Sequence, residues 1–275
     1  MSSDLHIHTT ASDGQYAPEK ILSMARQAGL RYIAITDHDN VDGLRNLYEA
    51  GMLPGHGMRV IPGIEFSAQN TEHEVHILGY DIDIYDKNLS DSLNDIVEAR
   101  WTRFSKMVEN LRGLGYGITE ADVLKIAGMS KAISRPHIAR ALVEKGLFPS
   151  VSAAFDAVLA KGRPAYEEHY RMEAADIIKC IKDAGGIPVL AHPKLIGDDI
   201  LVERLLQLGM EGIEAFYPRH NAADVERYKA LAEKYGILIS GGSDFHGPSI
   251  REPLELGIFT IEDKYAEKFY REEDI

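Results

Sequence analysis

Leu5-His6-Ile7-His8-Thr9 alternates apolar and imidazole side chains at the two-residue period of a β-strand, so His6 and His8 share one face. Pro18 then opens a helix at its favoured first-turn position, with Ile21, Leu22, Ala25 and Ala28 on one face and Gly29 as the stop. Arg31–Thr36 reads as the second strand, Leu44–Ala50 as a helix, and Met58–Ser67 and Val75–Tyr80 as further strands. The same alternation returns late in the chain. There it gives helix Ala174–Ala184, strand Ile187–Ala191, helix Leu201–Leu208, strand Gly212–Phe216, helix Ala222–Tyr235 and strand Ile237–Ser240. About seven β/α units of this kind predict an α/β barrel rather than a sandwich or a bundle.

The middle of the chain breaks that rhythm. Helical runs at Asp95–Leu114, Glu120–Ala127, Pro136–Glu144 and Val151–Leu159 follow one another without convincing strands between them. The division predicted is a discontinuous barrel over 1–95 and 164–275, with a helical insertion over 96–163 that forms part of the substrate site. The charged tail from Glu262 reads as a surface helix.

Bulk properties exclude several classes. Among 275 residues, 45% are hydrophobic and 27% charged, an ordinary globular balance, and no apolar run approaches the ~20 residues that span a bilayer. No membrane partner is expected, and a cytoplasmic location follows as the default. Cys180 is the sole cysteine, which excludes an intrachain disulfide and a thiolate-rich metal site. A net charge of −13 argues against tracking along DNA, which relies on many Lys and Arg against phosphates. Bound cations can reverse the local sign of a site, so a small anionic substrate stays open.

Histidines and acids fall at strand ends. His6 and His8 lie on the first strand, Asp13 just beyond it, and His38 after the second. Glu65 lies in the third, His76 in the fourth, His192 after Leu190-Ala191, and Asp244 and His246 after Ser240-Gly241-Gly242. In a parallel β/α barrel the carboxyl ends of the strands converge on one mouth, so these nine groups are expected to meet there. A single histidine at a strand end is ordinarily a hydrogen-bonded structural residue; the ordered set is not. Imidazole with carboxylate suits Mn, Fe or Zn, among which ligand chemistry does not choose, and the nine groups can supply two or three divalent ions if Glu65 bridges a pair. Adjacent ions of this kind lower the pKa of a bound water and stabilise in-line phosphoryl transfer, so a metal-bridged hydroxide is the expected nucleophile.

His6-Ile7-His8, Thr36-Asp37-His38-Asp39, Gly63-Ile64-Glu65, Ala191-His192-Pro193 and Gly242-Ser243-Asp244-Phe245-His246 together resemble the motif series of the PHP (polymerase and histidinol phosphatase) superfamily. That resemblance implies a distorted seven-stranded (β/α)7 TIM-like barrel holding three metals. His6, His8, Glu65 and Asp244 would form one site, Glu65, His76 and His192 a second, and Asp13, His38 and His246 a third. Ser134-Arg135-Pro136-His137 is similar to the insert motif of PHP phosphoesterases like the 3′,5′-nucleoside bisphosphate phosphatases, some of which trim the 5′ ends of short RNA. It implies a small phosphorylated nucleotide, or short RNA, as substrate.

Arg100, Arg135 and Arg219 are the candidates for gripping the phosphate that is not cleaved, because a guanidinium binds phosphate in bidentate fashion. Arg103 reads more as a solvated helix residue. His137 is a candidate phosphate contact or general acid, and Asp37 a partner that orients a ligand histidine. Tyr217 and His220 follow a strand and sit at the mouth by position, while His56, His73 and His169 read as exposed loop residues. The alternatives are a histidinol phosphatase, another small-molecule phosphatase or phosphodiesterase, and a metal-stabilised regulatory module without catalysis.

Overall fold

The computed structural model describes residues 2–53, 57–69, 72–128, 133–168, 172–248, 253 and 255–271, so His56 and His169 lie outside the described residues. The first elements are β1 (Ser2–Ile7), α1 (Pro18–Gln27), β2 (Leu30–Ile35), α2 (Asp42–Glu49), β3 (Arg59–Ala68) and β4 (Val75–Tyr80). Four helices follow: α3 (Lys87–Gly113), α4 (Glu120–Ala127), α5 (Arg135–Glu144) and α6 (Val151–Ala154), the last running into a π-helical turn at Phe155–Leu159. The second half adds α7 (Ala174–Asp183), β5 (Ile187–Leu190), α8 (Asp199–Gln207), β6 (Gly212–Phe216), α9 (Ala222–Tyr235), β7 (Leu238–Gly241), β8 (Ile261–Glu262) and α10 (Asp263–Ala266).

Among the described residues the strands form one sheet in the order β7-β6-β5-β4-β3-β2-β1-β8. It curls into a nearly closed barrel, because the segment after β7 meets β1 through a parallel bridge between Ile7 and Phe245. His8 lies one residue beyond β1 and continues this seam by donating its N–H to the Phe245 carbonyl at 2.9 Å. Gly242 makes the closure feasible: a Cβ there would sit 2.4 Å from His6 Cβ and 2.4 Å from His6 N.

The barrel departs from a parallel one at β4, which pairs antiparallel with both β3 and β5. Side chains of one parity along each strand pack against the helices, as Ile64, Phe66 and Ile77 do, and those of the other parity form a separate inner cluster. On β3 the second set runs Ile61, Gly63, Glu65, Ser67, so the candidate ligand lies towards the carboxyl end. On β4 it runs His76, Leu78, Tyr80, and the ligand comes first. The expectation that every ligand sits at the carboxyl end of a strand is therefore corrected for His76, which reaches the mouth because its strand runs the other way.

Two further expectations change. Among the described residues the sheet has eight strands rather than seven, the extra one being β8, which pairs antiparallel with β1 through Ser2↔Glu262 and Ser3↔Ile261. The tail is not a surface helix: Ala266 and Phe269 are fully buried in the inner cluster, with the Phe269 ring 4.9 Å from that of Tyr80.

Helix α3 begins at Lys87, where Asp86 accepts from Leu89 N at 2.8 Å, and not at Asp95. Its buried stripe passes from Leu89, Leu93 and Ile96, which belong to the main core, to Phe104, Met107, Val108 and Leu111, which belong to a second apolar cluster reaching Ala165. Arg100 and Arg103 occupy the stripe between the two clusters and are themselves buried.

Replacing Gly242 with Ala forces a side chain into the His6 backbone and is expected to lower stability by about 1–3 kcal/mol, the usual range for overpacking. Urea denaturation measures this, and an unchanged midpoint would show that the seam is looser than described.

Candidate metal centre and phosphate cavity

Glu65 is the hub of the site. Its carboxylate is 1% exposed, and five imidazoles surround it: His6 Nε2 at 3.3 Å, His8 Nε2 at 3.2 Å and His38 Nδ1 at 3.1 Å face Oε2, while His76 Nδ1 at 2.8 Å and His192 Nε2 at 3.0 Å face Oε1. Asp244 Oδ1 lies 3.2 Å from His8 Nε2, and Asp13 Oδ1 lies 3.2 Å from His246 Nε2. All nine sequence-derived ligand candidates thus gather at one end of the barrel.

Among the described residues, three groups have potential ligand atoms within 4.8 Å of one another: His6, His8, Glu65 and Asp244; His8, Asp13, His38 and His246; and His38, Glu65 and His76. The first coincides with a set that the resemblance implied. The second adds His8, and in the third His38 takes the place assigned to His192, which still meets Glu65.

The chemistry of the donor set fits divalent cations. His6 Nε2, both ring nitrogens of His8, Asp13 Oδ1, His38 Nδ1 and Glu65 Oε2 are buried and make no hydrogen bond among the described residues. Buried polar atoms are ordinarily paired, so a cluster of unpaired lone pairs aimed at one volume calls for a cation. Burial disfavours a charged His8, yet Asp244 and Glu65 outweigh it and raise its pKa to about 9. Burial also works against an ionised Glu65, but His38, His6 and His76 hold its carboxyl well below the usual range. A cation can occupy the place that these charge pairs reserve for protons.

Beside the centre opens a cavity of about 360 Å³. Asp13, His38 and His76 form its floor, and Arg100 and Arg103 of α3 with Ser134 and Arg135 of α5 form a wall. Arg100 forms a buried ion pair with Asp39, Arg135 reaches Glu74 at 3.1 Å, and Arg103 donates Nε to the Glu167 carbonyl at 2.8 Å. Arg103, read as solvated, is 8% exposed and lines the cavity, because it falls on the buried stripe of α3. Arg219 is exposed and is not part of this lining.

The PHP domain, by its family description, matches residues 4–189. The chain belongs to the PHP domain family. A 3′,5′-nucleoside bisphosphate phosphatase of Chromobacterium violaceum is 32% identical over 250 residues, 89% of this chain and 87% of its own. A phosphoribosyl 1,2-cyclic phosphate 1,2-diphosphodiesterase of Eggerthella lenta is 32% identical over 92% of this chain and 97% of its own, and the 5′-3′ exoribonuclease Rnm of Salmonella typhimurium is 31% identical over 89% and 85%. Among solved structures, a candidate metal-dependent phosphoesterase from Bifidobacterium adolescentis superposes with a TM-score of 0.86 at 29% identity, covering 97% of this chain and 94% of that one.

Glu214 and Asp4, which brace the candidate centre, were not singled out from the sequence, whereas Tyr217 was expected at the mouth by position. Glu214 is fully buried on β6, with Oε1 3.0 Å from His6 Nδ1 and Oε2 accepting from His192 N at 2.7 Å. Tyr217 donates its hydroxyl to Asp244 Oδ2 at 3.0 Å. Asp4 accepts from the Ser243 hydroxyl at 2.5 Å and from Ser243 N at 2.8 Å, tying the loop before Asp244 to β1. An acid inside an otherwise apolar strand, as in Gly212-Ile213-Glu214-Ala215-Phe216, was the available signal for Glu214. Backbone strain concentrates here as well: Asp39, His192 and Asp244 have φ of 46°, 27° and 54°, in the left-handed region that non-glycine residues rarely adopt.

Three assigned roles are corrected. The hydrogen bonds of Asp37 run to Thr9 N and Thr9 Oγ1, both at 2.7 Å, and to Ser12 Oγ at 2.5 Å, so it shapes the loop that carries Asp13 and does not orient a histidine. His73 is half-buried, with Nδ1 2.7 Å from the Ile196 carbonyl. His137 is 2% exposed and is not among the residues lining this cavity, its Nδ1 accepting from Ser134 N at 3.1 Å in a helix cap. Burial lowers its pKa to about 4, which leaves it neutral near pH 7 and short of an acid's proton.

The depressed His137 carries a pH signature. The unfolded chain takes up a proton on this imidazole below about 6.5 and the folded one only near 4, so stability falls as pH drops through that window. His137→Gln is expected to lose up to about 3 kcal/mol less than wild type between pH 7 and pH 4, read from denaturation curves at each pH. Equal losses in the two proteins would remove His137 from the account.

Proposed function

We propose that this PHP protein hydrolyses a phosphate monoester of a small nucleotide, of the 3′,5′-bisphosphorylated nucleoside type, with short 5′-phosphorylated RNA as a second substrate. The supporting observation is the cavity in which a floor of candidate metal ligands faces three arginines. Divalent cations held by the floor, Mn in this reading, would acidify a water molecule and polarise a phosphoryl oxygen. Arg100, Arg103 and Arg135 hold the second phosphate and so orient the first over the floor. Residues 96–163 act as an insertion whose helices supply that wall.

A volume of about 360 Å³ suits one nucleotide and not a duplex, so RNA enters only by its terminal residue. The arginine wall also disfavours histidinol phosphate, whose amine brings a positive charge towards three others. With a lone Cys180 and no disulfide framework, a cytoplasmic setting completes the reading.

Metal-free protein supplied with Mn²⁺ is to be assayed against a 3′,5′-bisphosphorylated nucleoside, a cyclic phosphate, histidinol phosphate and short 5′-phosphorylated RNA. The bisphosphate is expected to give the highest kcat/KM, and a clear preference for histidinol phosphate or the cyclic ester would displace it. No turnover of any ester would favour a regulatory module. His8→Ala and Asp244→Ala are expected to abolish turnover and lower bound metal, whereas wild-type rates would refute the centre. Arg135→Ala is expected to raise KM for the bisphosphate about 10- to 100-fold, as loss of a charged hydrogen bond does.

A further inference from the structure

β6 contributes none of the nine ligand candidates, yet Glu214 in its middle touches two of the residues that do. Glu214 meets His6 at the ring nitrogen opposite the one that faces Glu65. One carboxylate oxygen faces the Nδ1 of His6 on β1, and the other takes the backbone N–H of His192, just past β5. His192 stands at φ 27° just past the end of β5, and its N–H donates to Glu214 Oε2 at 2.7 Å.

We propose that Glu214 is a positioning residue that fixes the tautomer of His6 and holds the His192 turn, and that it must be an acceptor at both oxygens to do so. The inference rests on the metal-centre reading above. A carboxylate can only accept, so Nδ1 of His6 keeps a proton against Glu214, and Nε2 is the nitrogen whose lone pair a bound cation would take. That lone pair points to the space between Glu65 Oε2 at 3.3 Å and Asp244 Oδ1 at 3.5 Å. A glutamine has the same shape but one donor end. Whichever way its amide turns, an NH₂ group meets either the His6 Nδ1–H or the His192 N–H, or else His6 must surrender its Nδ1 proton and with it the free Nε2. Shape alone therefore does not replace Glu214; polarity does the positioning.

The test compares metal-free wild type, Glu214→Gln and Glu214→Ala by calorimetric titration with Mn²⁺, with circular dichroism as the check on folding. Loss of such an outer partner typically weakens metal affinity 10- to 100-fold. Both variants are expected to lose affinity in that range, with the isosteric glutamine no better than alanine. A glutamine variant that binds Mn²⁺ like wild type would overturn the proposal, because packing would then suffice. A wild type that takes up no Mn²⁺ would instead overturn the metal-centre reading. In that case, or if the variants fail to fold, ¹⁵N–¹H correlation spectra of histidine-labelled wild type decide: a proton on His6 Nδ1 supports the proposal, and a bare Nδ1 defeats it.

Discussion

A carboxylate that is almost wholly withdrawn from water, with five imidazoles within 3.3 Å of its oxygens, sets the terms for the rest of this molecule. Burying such a group is costly unless its oxygens meet positive charge or donors. The rings that meet Glu65 come from β1, from the turn after β2, from β4 and from the turn after β5, so satisfying one side chain requires most of the barrel to be in register. The same crowd cannot be fully protonated without mutual repulsion. Divalent cations would resolve the conflict, because they meet carboxylates and neutral imidazoles at once.

The scaffold is shaped around this demand. Reversal of β4 lets His76 face the ligand on β3 from the start of its own strand, and the missing side chain at Gly242 lets the last segment close on His6. The tail fills the inner apolar cluster with Phe269, which leaves the opposite end to the polar groups. Left-handed backbone at Asp39, His192 and Asp244 places strain where the ligands and the Arg100 partner lie. Hydrogen bonds such as that from His192 N to Glu214 hold those conformations in place.

Much of the centre was legible in the sequence because its chemistry is local: an imidazole or acid next to a strand end is visible in a short window, and its spacing gives its face. The α/β units were legible for the same reason. What escaped reading is non-local. The direction of β4 depends on partners far along the chain, and Val75–Tyr80 looks alike in either orientation. Two-residue β8 has no periodicity to detect, and the charges around Ala266 and Phe269 masked two buried anchors. Arg103 was misjudged although Leu89, Leu93, Ile96 and Arg100 set a stripe that includes it, since an arginine there contradicts the usual solvated reading. His137 and Asp37 lie beside the right residues, but His137 caps a helix and Asp37 ties down the Thr9–Ser12 loop.

The most direct measurement is anomalous diffraction at the manganese edge from crystals of the Mn²⁺-loaded protein. The account expects peaks within about 2.0–2.3 Å of His and carboxylate atoms around Glu65, the range of first-row metal–ligand bonds. Crystals with no anomalous signal at the mouth, or with manganese bound only at surface carboxylates elsewhere, would contradict it.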